Sequence, residues 1–418
     1  MNNFFDEVTR QLRANPAQVS DLMFVTEEAF GQFGYREKIS PPVENILVVR
    51  LDAIGDMILT SGFLRELRKN FPQARITLVV APQTFPLIEL CPYVNEVLMF
   101  DTKKFSKNFP EMFAQLVPFC RENFWPKKFS IAFSPQWGAK NLISLLLCWL
   151  SGARERIGFG TNPYASWGFE PSPEESAIDN FLLTKNIFPT QNEVAEIEKF
   201  FYLLTAVGLE VNDKSTELFF GAEDLIYARE LLKNIPTACK KVVVGIGAGD
   251  GNRRYPVEKY LIALDELARK NLAFVIVGGR DELDDATYLE RNLPRGKVLN
   301  LVGKTTLRQT EAVISQSDFY VGNDTGVMHM AAAAQIPCLV LYRDAQDKEA
   351  YLPGIYSESQ RFTPWQTNAV ILRPDHQLDD CARRDPVYGW CHHDEPHCIT
   401  QIPPQWIIDG FEVLEGMV

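Results

Sequence analysis

The stretch Ser317 to Ala334, SDFYVGNDTGVMHMAAAA, carries the residue types best suited to chemistry in this chain. An apolar run, Phe319 to Val321, breaks at Gly322-Asn323-Asp324-Thr325-Gly326, and small residues at helical density follow from His329 to Ala334. The pattern predicts strand, sharp turn and helix, with Asn323 or Asp324 as the helix cap. The backbone N–H groups of Thr325, Gly326 and Val327 are then expected to point out of the first turn, where the helix dipole favours an anion such as phosphate. Gly326 presents no side chain to obstruct that approach. Taken alone, the stretch also reads as a plain capped helix of an α/β domain.

A second loop, Gly245 to Pro256 (GIGAGDGNRRYP), leaves another strand in the same half of the chain. Gly247, Gly249 and Gly251 permit close backbone approach, and Arg253 and Arg254 place fixed positive charge beside it. One diphosphate reaching both loops would explain the pair. Asp324 then needs a different task, because a diphosphate repels a carboxylate; accepting hydrogen bonds from sugar hydroxyls is the natural one. His329, one turn into the helix, reads either as a structural histidine or as a catalytic one.

A third element is RLDAIGDMILTSGFLRELR, where Gly55-Asp56 falls at the carboxyl end of the first strand, the edge at which doubly wound sheets bind ligands. Asp56 there is a candidate general base or a helix cap, and Asp52 is a second acid on the same loop. No first-turn loop carries G-x-G-x-x-G, which disfavours a nicotinamide enzyme. Cys381, Cys391 and Cys398 with His392, His393 and His397 lack the spacing of zinc ligand pairs, and no D-x-D box is present, so no metal is expected.

The elements that hold these residues read as two α/β halves. Apolar runs at 45–50, 76–81, 96–100 and 130–134 alternate with helical stretches, and a second series follows at 242–247, 274–279, 298–303, 318–322 and 338–342. Runs apolar throughout suit strands buried on both faces of a parallel sheet. Residues 1–42 read as a helical extension, 43–212 and 213–373 as two Rossmann-like doubly wound domains facing a cleft, and 374–418 as a segment ending in a helix. A formal charge of −12 argues against nucleic acid as a partner. Basic clusters at Arg65, Arg68, Lys69 and Arg75 and at Lys103, Lys104, Lys107, Lys127 and Lys128 are solvated faces or surfaces for an anionic acceptor or membrane. Scattered cysteines fit a reduced cytoplasm; the N-terminus does not read as a signal peptide, and the longest apolar run, Leu142 to Leu150, is too short to cross a bilayer.

The segments ILVVRLDAIGDMILTSGFLRELRKNFPQARITLVV at 46–80, SGARERIGF at 151–159, GAGDGNRRYP at 247–256, VIVGGRDE at 275–282 and 301–342 resemble, in order, glycosyltransferase family 9, the ADP-heptose:lipopolysaccharide heptosyltransferases. The resemblance implies a GT-B architecture and metal-independent, inverting transfer from a nucleotide-diphosphate sugar, ADP-heptose being the best guess, onto a lipopolysaccharide or other surface glycan. No cofactor is implied, since the nucleotide sugar is a substrate. Asp56 falls on the family's Gly-Asp, whose aspartate is taken as the base. Gly247, Gly249, Arg253, Arg254, Asp324, Thr325, Gly326 and His329 fall on its donor-binding segments, the last four on D-[ST]-G-x-x-H. Here Arg253 stands for the family's usual lysine, Tyr255 for its tryptophan, and RDAQDKEAYLP follows Tyr342 in place of a Gly-Pro-Thr loop. A cytoplasmic enzyme, in peripheral contact with the inner membrane face, would suit such an acceptor. The rival readings are a nucleotide-sugar 2-epimerase of the same architecture and a silent nucleotide-sugar or glycan-binding subunit.

Overall fold

A computed structural model describes residues 43–106, 108–137, 141–160, 181–190, 192–346, 357–378 and 393–418. The expected helical extension at 1–42 lies outside them, as do Lys107, Cys381, Cys391 and His392. The first sheet holds β1 (Asn45–Arg50), β2 (Arg75–Val80), β3 (Glu96–Met99), β4 (Ile131–Ser134), β5 (Glu155–Phe159) and β6 (Lys185–Ile187) in the order β3-β2-β1-β4-β5-β6. The second holds β7 (Lys240–Gly245), β8 (Leu272–Val277), β9 (Val298–Asn300), β10 (Phe319–Asn323), β11 (Cys338–Leu341) and β12 (Ala369–Leu372) in the order β12-β11-β10-β7-β8-β9. Every strand pair is parallel. Both sheets thus follow the Rossmann order, which reverses between β1 and β4 and between β7 and β10 and leaves a crevice at each carboxyl edge.

The central strands are buried on both faces, as parallel strands are. Ile46 to Val49 and Phe274 to Ile276 are wholly buried, so helices must cover both faces. In the first series these are α1 (Ile54–Asn70), α2 (Phe109–Asn123), α3 (Leu142–Leu150) and α4 (Glu196–Thr205). The second series has α5 (Ala222–Leu232), α6 (Val257–Leu267), α7 (Leu283–Asn292), α8 (Leu307–Ile314), α9 (Gly326–Ala333), α10 (Glu358–Arg361) and α11 (Pro404–Glu415). The apolar run 142–150 is α3, buried along its whole length as a core helix. Among the described residues no helix is long and apolar enough to cross a membrane.

Contacts divide the chain into two compact units, one running to Ala53 and taking up again over Gly62–Lys214, the other made of Ile54–Ser61 and Ser215–Val418. The start of α1, with Gly55 and Asp56, therefore belongs to the second unit, although sequence order puts it in the first. Small residues account for the packing within that unit. A Cβ on Gly326 would run into the Ile54 side chain, and one on Gly55 would lie 2.6 Å from His329 Cδ2. The Glu217 N–H also donates to Ser61 Oγ at 2.8 Å.

The first basic cluster is ion-paired, with Lys69 and Arg75 still about half exposed. Arg65 pairs with Glu66 at 3.3 Å and Asp213 at 3.2 Å, Lys69 pairs with Glu66 at 2.7 Å, and Arg75 with Glu96 at 3.6 Å. Arg68 donates to the carbonyls of Tyr93 and Ala74 at 3.0 and 2.6 Å. In the second cluster Lys127 pairs with Glu96 at 3.2 Å, while Lys103 and Lys104 are exposed.

One buried carboxylate makes a stability prediction. Glu311 on α8, which packs on α5, is 0% exposed. Burial raises its carboxyl to about 8; Asp224 adds to the rise, and the Phe219 N–H and Arg308 oppose it. An acid raised in the folded state binds its proton more tightly there than in the unfolded chain. Stability is thus greatest below the unfolded value and falls as pH rises through about 8, by on the order of 5 kcal/mol in all. Glu311→Gln, which stays neutral, is expected to raise the melting temperature at pH 8.5 and to raise it only about a third as much at pH 5.5. Melting curves at the two values check this; an equal shift at both would contradict it.

Candidate functional site

The two loops singled out in the sequence meet at the switch point of the second sheet, one leaving β7 and the other β10. Asn323, at the end of β10 and wholly buried, joins them. Its Nδ2 donates to the carbonyls of Ile246 at 2.7 Å and Gly247 at 3.2 Å, and its Oδ1 accepts from the Tyr260 hydroxyl at 2.8 Å and the Tyr255 N–H at 3.3 Å. Its side chain is therefore a clamp. Asn323→Ala is expected to strand several buried polar groups and cost about 3 kcal/mol, or roughly 6–12 °C of melting temperature for the unit. Unchanged melting would contradict the clamp.

Neither Asn323 nor Asp324 caps α9. Thr325 does: it is extended, and its Oγ1 accepts from the Val327 N–H at 3.0 Å. That N–H is thus taken internally, which removes one of the three amides expected to be open for an anion.

Asp324, 4% exposed, accepts from Arg253 Nη1 at 3.3 Å, and Arg253 Nη2 pairs with Asp250 at 3.1 Å. Burial raises the Asp324 carboxyl to about 6; Arg253 opposes the rise and Glu358 adds to it. Burial would lower the Arg253 guanidinium, but Asp324, Glu358 and Asp250 outweigh it and hold the charge in place. Behind this pair, Arg343 donates to Glu358 through Nε at 2.9 Å and also through Nη2, and its Nη1 donates to Asn252 Oδ1. Arg253, Asp324, Arg343 and Glu358 form one charged cluster.

Other expected residues go elsewhere. Arg254 turns to Glu282 Oε1 at 3.2 Å and to the Ala248 carbonyl. Gly247 makes room for that same Glu282, whose Cδ would lie 2.7 Å from an added Cβ. Gly249 does serve the cation: an added Cβ would sit 3.3 Å from Arg253 Nη2. His329, on the first turn of α9, is 4% exposed. Burial, then Arg253, lowers its imidazole to about 4, so it is neutral at pH 7. Among the described residues, Arg253 Nε and His329 Nδ1 are buried and meet no hydrogen-bond partner. Two unused polar atoms beside a helix N-terminus are what an anion site leaves open.

On the first sheet, the two acids of the Gly-Asp loop separate. Asp52 forms an ion pair with the buried Arg50 at 2.8 Å, and Arg50 is held further by the Pro135 carbonyl at 2.7 Å and by stacking over Phe200 at 4.2 Å. Asp56 lies in the first turn of α1, half-buried, and its carbonyl accepts from Thr60 Oγ1 at 2.7 Å. Of the C-terminal cluster, His393 and His397 stack at 3.8 Å. Among the described residues no group of three His, Cys, Asp or Glu is placed to hold a metal.

Glu358, Arg343 and Asp250 were not anticipated as site residues. The departure RDAQ after Tyr342 was a visible signal for Arg343; Glu358 carried none, because it stands 15 residues further along the chain, outside every motif.

Two Rossmann sheets, the second with an anion-ready helix start at its switch point, define an α/β enzyme of the GT-B type. The model of glycosyltransferase family 9 (heptosyltransferase) matches residues 168–389, and the chain belongs to that family: it is a glycosyltransferase. It is similar to lipopolysaccharide heptosyltransferase 3 of Escherichia coli, 24% identical over 292 residues, 69% of this chain and 80% of that one. The family 9 glycosyl transferase from Veillonella parvula has the same fold, with a TM-score of 0.69 at 20% identity, over 91% of this chain and all of that one. So does the E. coli heptosyltransferase WaaC solved with ADP-2-deoxy-2-fluoro heptose, with a TM-score of 0.58 at 17% identity, over 88% of this chain and 99% of that one.

Proposed function

We propose that the chain transfers heptose from ADP-heptose to a lipopolysaccharide or other surface-glycan acceptor, with inversion at the anomeric carbon and without a metal ion. The observation that carries the donor half is that Arg253, held on Asp324 just before α9, and His329 on its first turn each keep a buried nitrogen, Nε and Nδ1, without a hydrogen-bond partner. The relatives' names add the sugar and the acceptor class.

In this reading the second unit binds the donor. The diphosphate lies against the start of α9, with the Gly326 N–H, the Arg253 guanidinium and the neutral His329 ring turned to its oxygens. As the glycosidic bond breaks, charge grows on the departing diphosphate, and these preset groups stabilise it in place of a cation. Asp56 removes the proton of the acceptor hydroxyl, which attacks the anomeric carbon from the side opposite the diphosphate. Asp52 is unsuited to that task because Arg50 holds it as an ion pair. The first unit supplies the acceptor surface. Work on such an acceptor would place the enzyme in the cytoplasm, at the inner face of the membrane.

Thermal-shift measurements with ADP-, GDP- and UDP-sugars test the donor assignment. ADP-sugars are expected to stabilise the chain more than the other two. No shift with any of them would remove the donor site.

A further inference from the structure

We propose that Asp324 enters the donor complex as a neutral carboxylic acid that donates a hydrogen bond to the diphosphate, taking up a proton from solvent as the ligand binds. The inference rests on the donor-site reading above and assigns Asp324 a task other than accepting from sugar hydroxyls.

The charges at the site favour such a step. Asp250, Asp324 and Glu358 face three guanidinium groups, Arg253, Arg343 and Arg361, and the neighbouring Asp344 is paired with Arg373 at 2.8 Å, so the cluster holds no positive charge in excess to meet a ligand's. Arg343 is engaged by Glu358 and Asn252, which leaves Arg253 as the cation beside Asp324. The neutral groups near Asp324 offer no substitute. The Tyr320 hydroxyl donates to the Asn323 carbonyl at 2.8 Å, and the Tyr342 hydroxyl donates to the Phe362 carbonyl at 2.8 Å. A diphosphate adds two negative charges and competes for Arg253. An ionised Asp324, 4% exposed, would then face a dianion with its counter-charge shared. Protonation ends that repulsion and turns an acceptor into an O–H donor at the ligand. The step is within reach of neutral pH, because burial, opposed by Arg253, already holds the carboxyl at about 6.

Titration calorimetry with ADP-glucose tests this, since its pyrophosphate diester has no group titrating near neutrality. At pH 7.5, in buffers of different ionisation enthalpy, the wild-type chain is expected to take up close to one proton per ligand. Its affinity should weaken by up to about tenfold per pH unit between pH 6.5 and 8. Asp324→Asn should bind with no proton uptake and a flat pH profile. Binding by the wild-type chain without uptake, or uptake that persists in Asp324→Asn, would overturn the proposal; if that variant does not fold, the wild-type pH slope decides. Should neither ADP-glucose nor any other sugar nucleotide bind, the donor-site reading itself fails.

Discussion

Asp56→Asn is expected to lower the rate of sugar transfer by about 10²–10⁴-fold, the usual contribution of a positioned general base, while ADP-sugar binding persists. Asparagine keeps the shape of the side chain but cannot accept the acceptor's proton. Asp52→Asn separates the two acids of the loop. It removes the partner of the buried Arg50, so its effect should appear as a lower melting temperature. Steady-state kinetics with calorimetry of donor binding reads both variants. Undiminished transfer by Asp56→Asn would remove Asp56 as the base, and weakened donor binding would make it a structural residue.

Arg253→Ala is expected to reduce turnover by about 10²–10³-fold, as loss of a preset charge-stabilising group does, and to weaken donor affinity as well. The guanidinium is built into its place: Gly249 leaves it space, and Asp250 and Asp324 fix two of its nitrogens while Nε stays unused. Arg253→Lys should recover part of the loss, since charge survives and the planar fork does not. An alanine variant with normal donor affinity and turnover would show that the diphosphate lies elsewhere.

Much of this architecture was legible from the sequence because buried parallel strands are apolar throughout. NILVVR predicted at 45–50 is β1, Asn45–Arg50, and CLVLY at 338–342 contains β11, Cys338–Leu341. The strands not anticipated from patterning, β5, β6 and β12, are short or polar: Glu155 and Arg156 open β5, and Lys185-Asn186 make up most of β6. The two loops of the candidate site were visible as glycines and charges after strands. Their internal bonding was not, because a side chain's partner depends on packing across the sheet. The cap fell to Thr325 since Asn323 is fully occupied by four bonds and Asp324 by Arg253. Arg254, next to Arg253 in sequence, points to Glu282 because the short 3₁₀ turn Gly251–Arg253 directs successive side chains apart.

Mass spectrometry of the product decides whether heptose is transferred: purified chain, ADP-heptose and a heptose-accepting lipopolysaccharide core fragment, with EDTA present. The expected product is an acceptor heavier by one heptose, formed together with ADP. Nucleotide released beside an epimerised sugar, with the acceptor mass unchanged, would contradict heptosyl transfer.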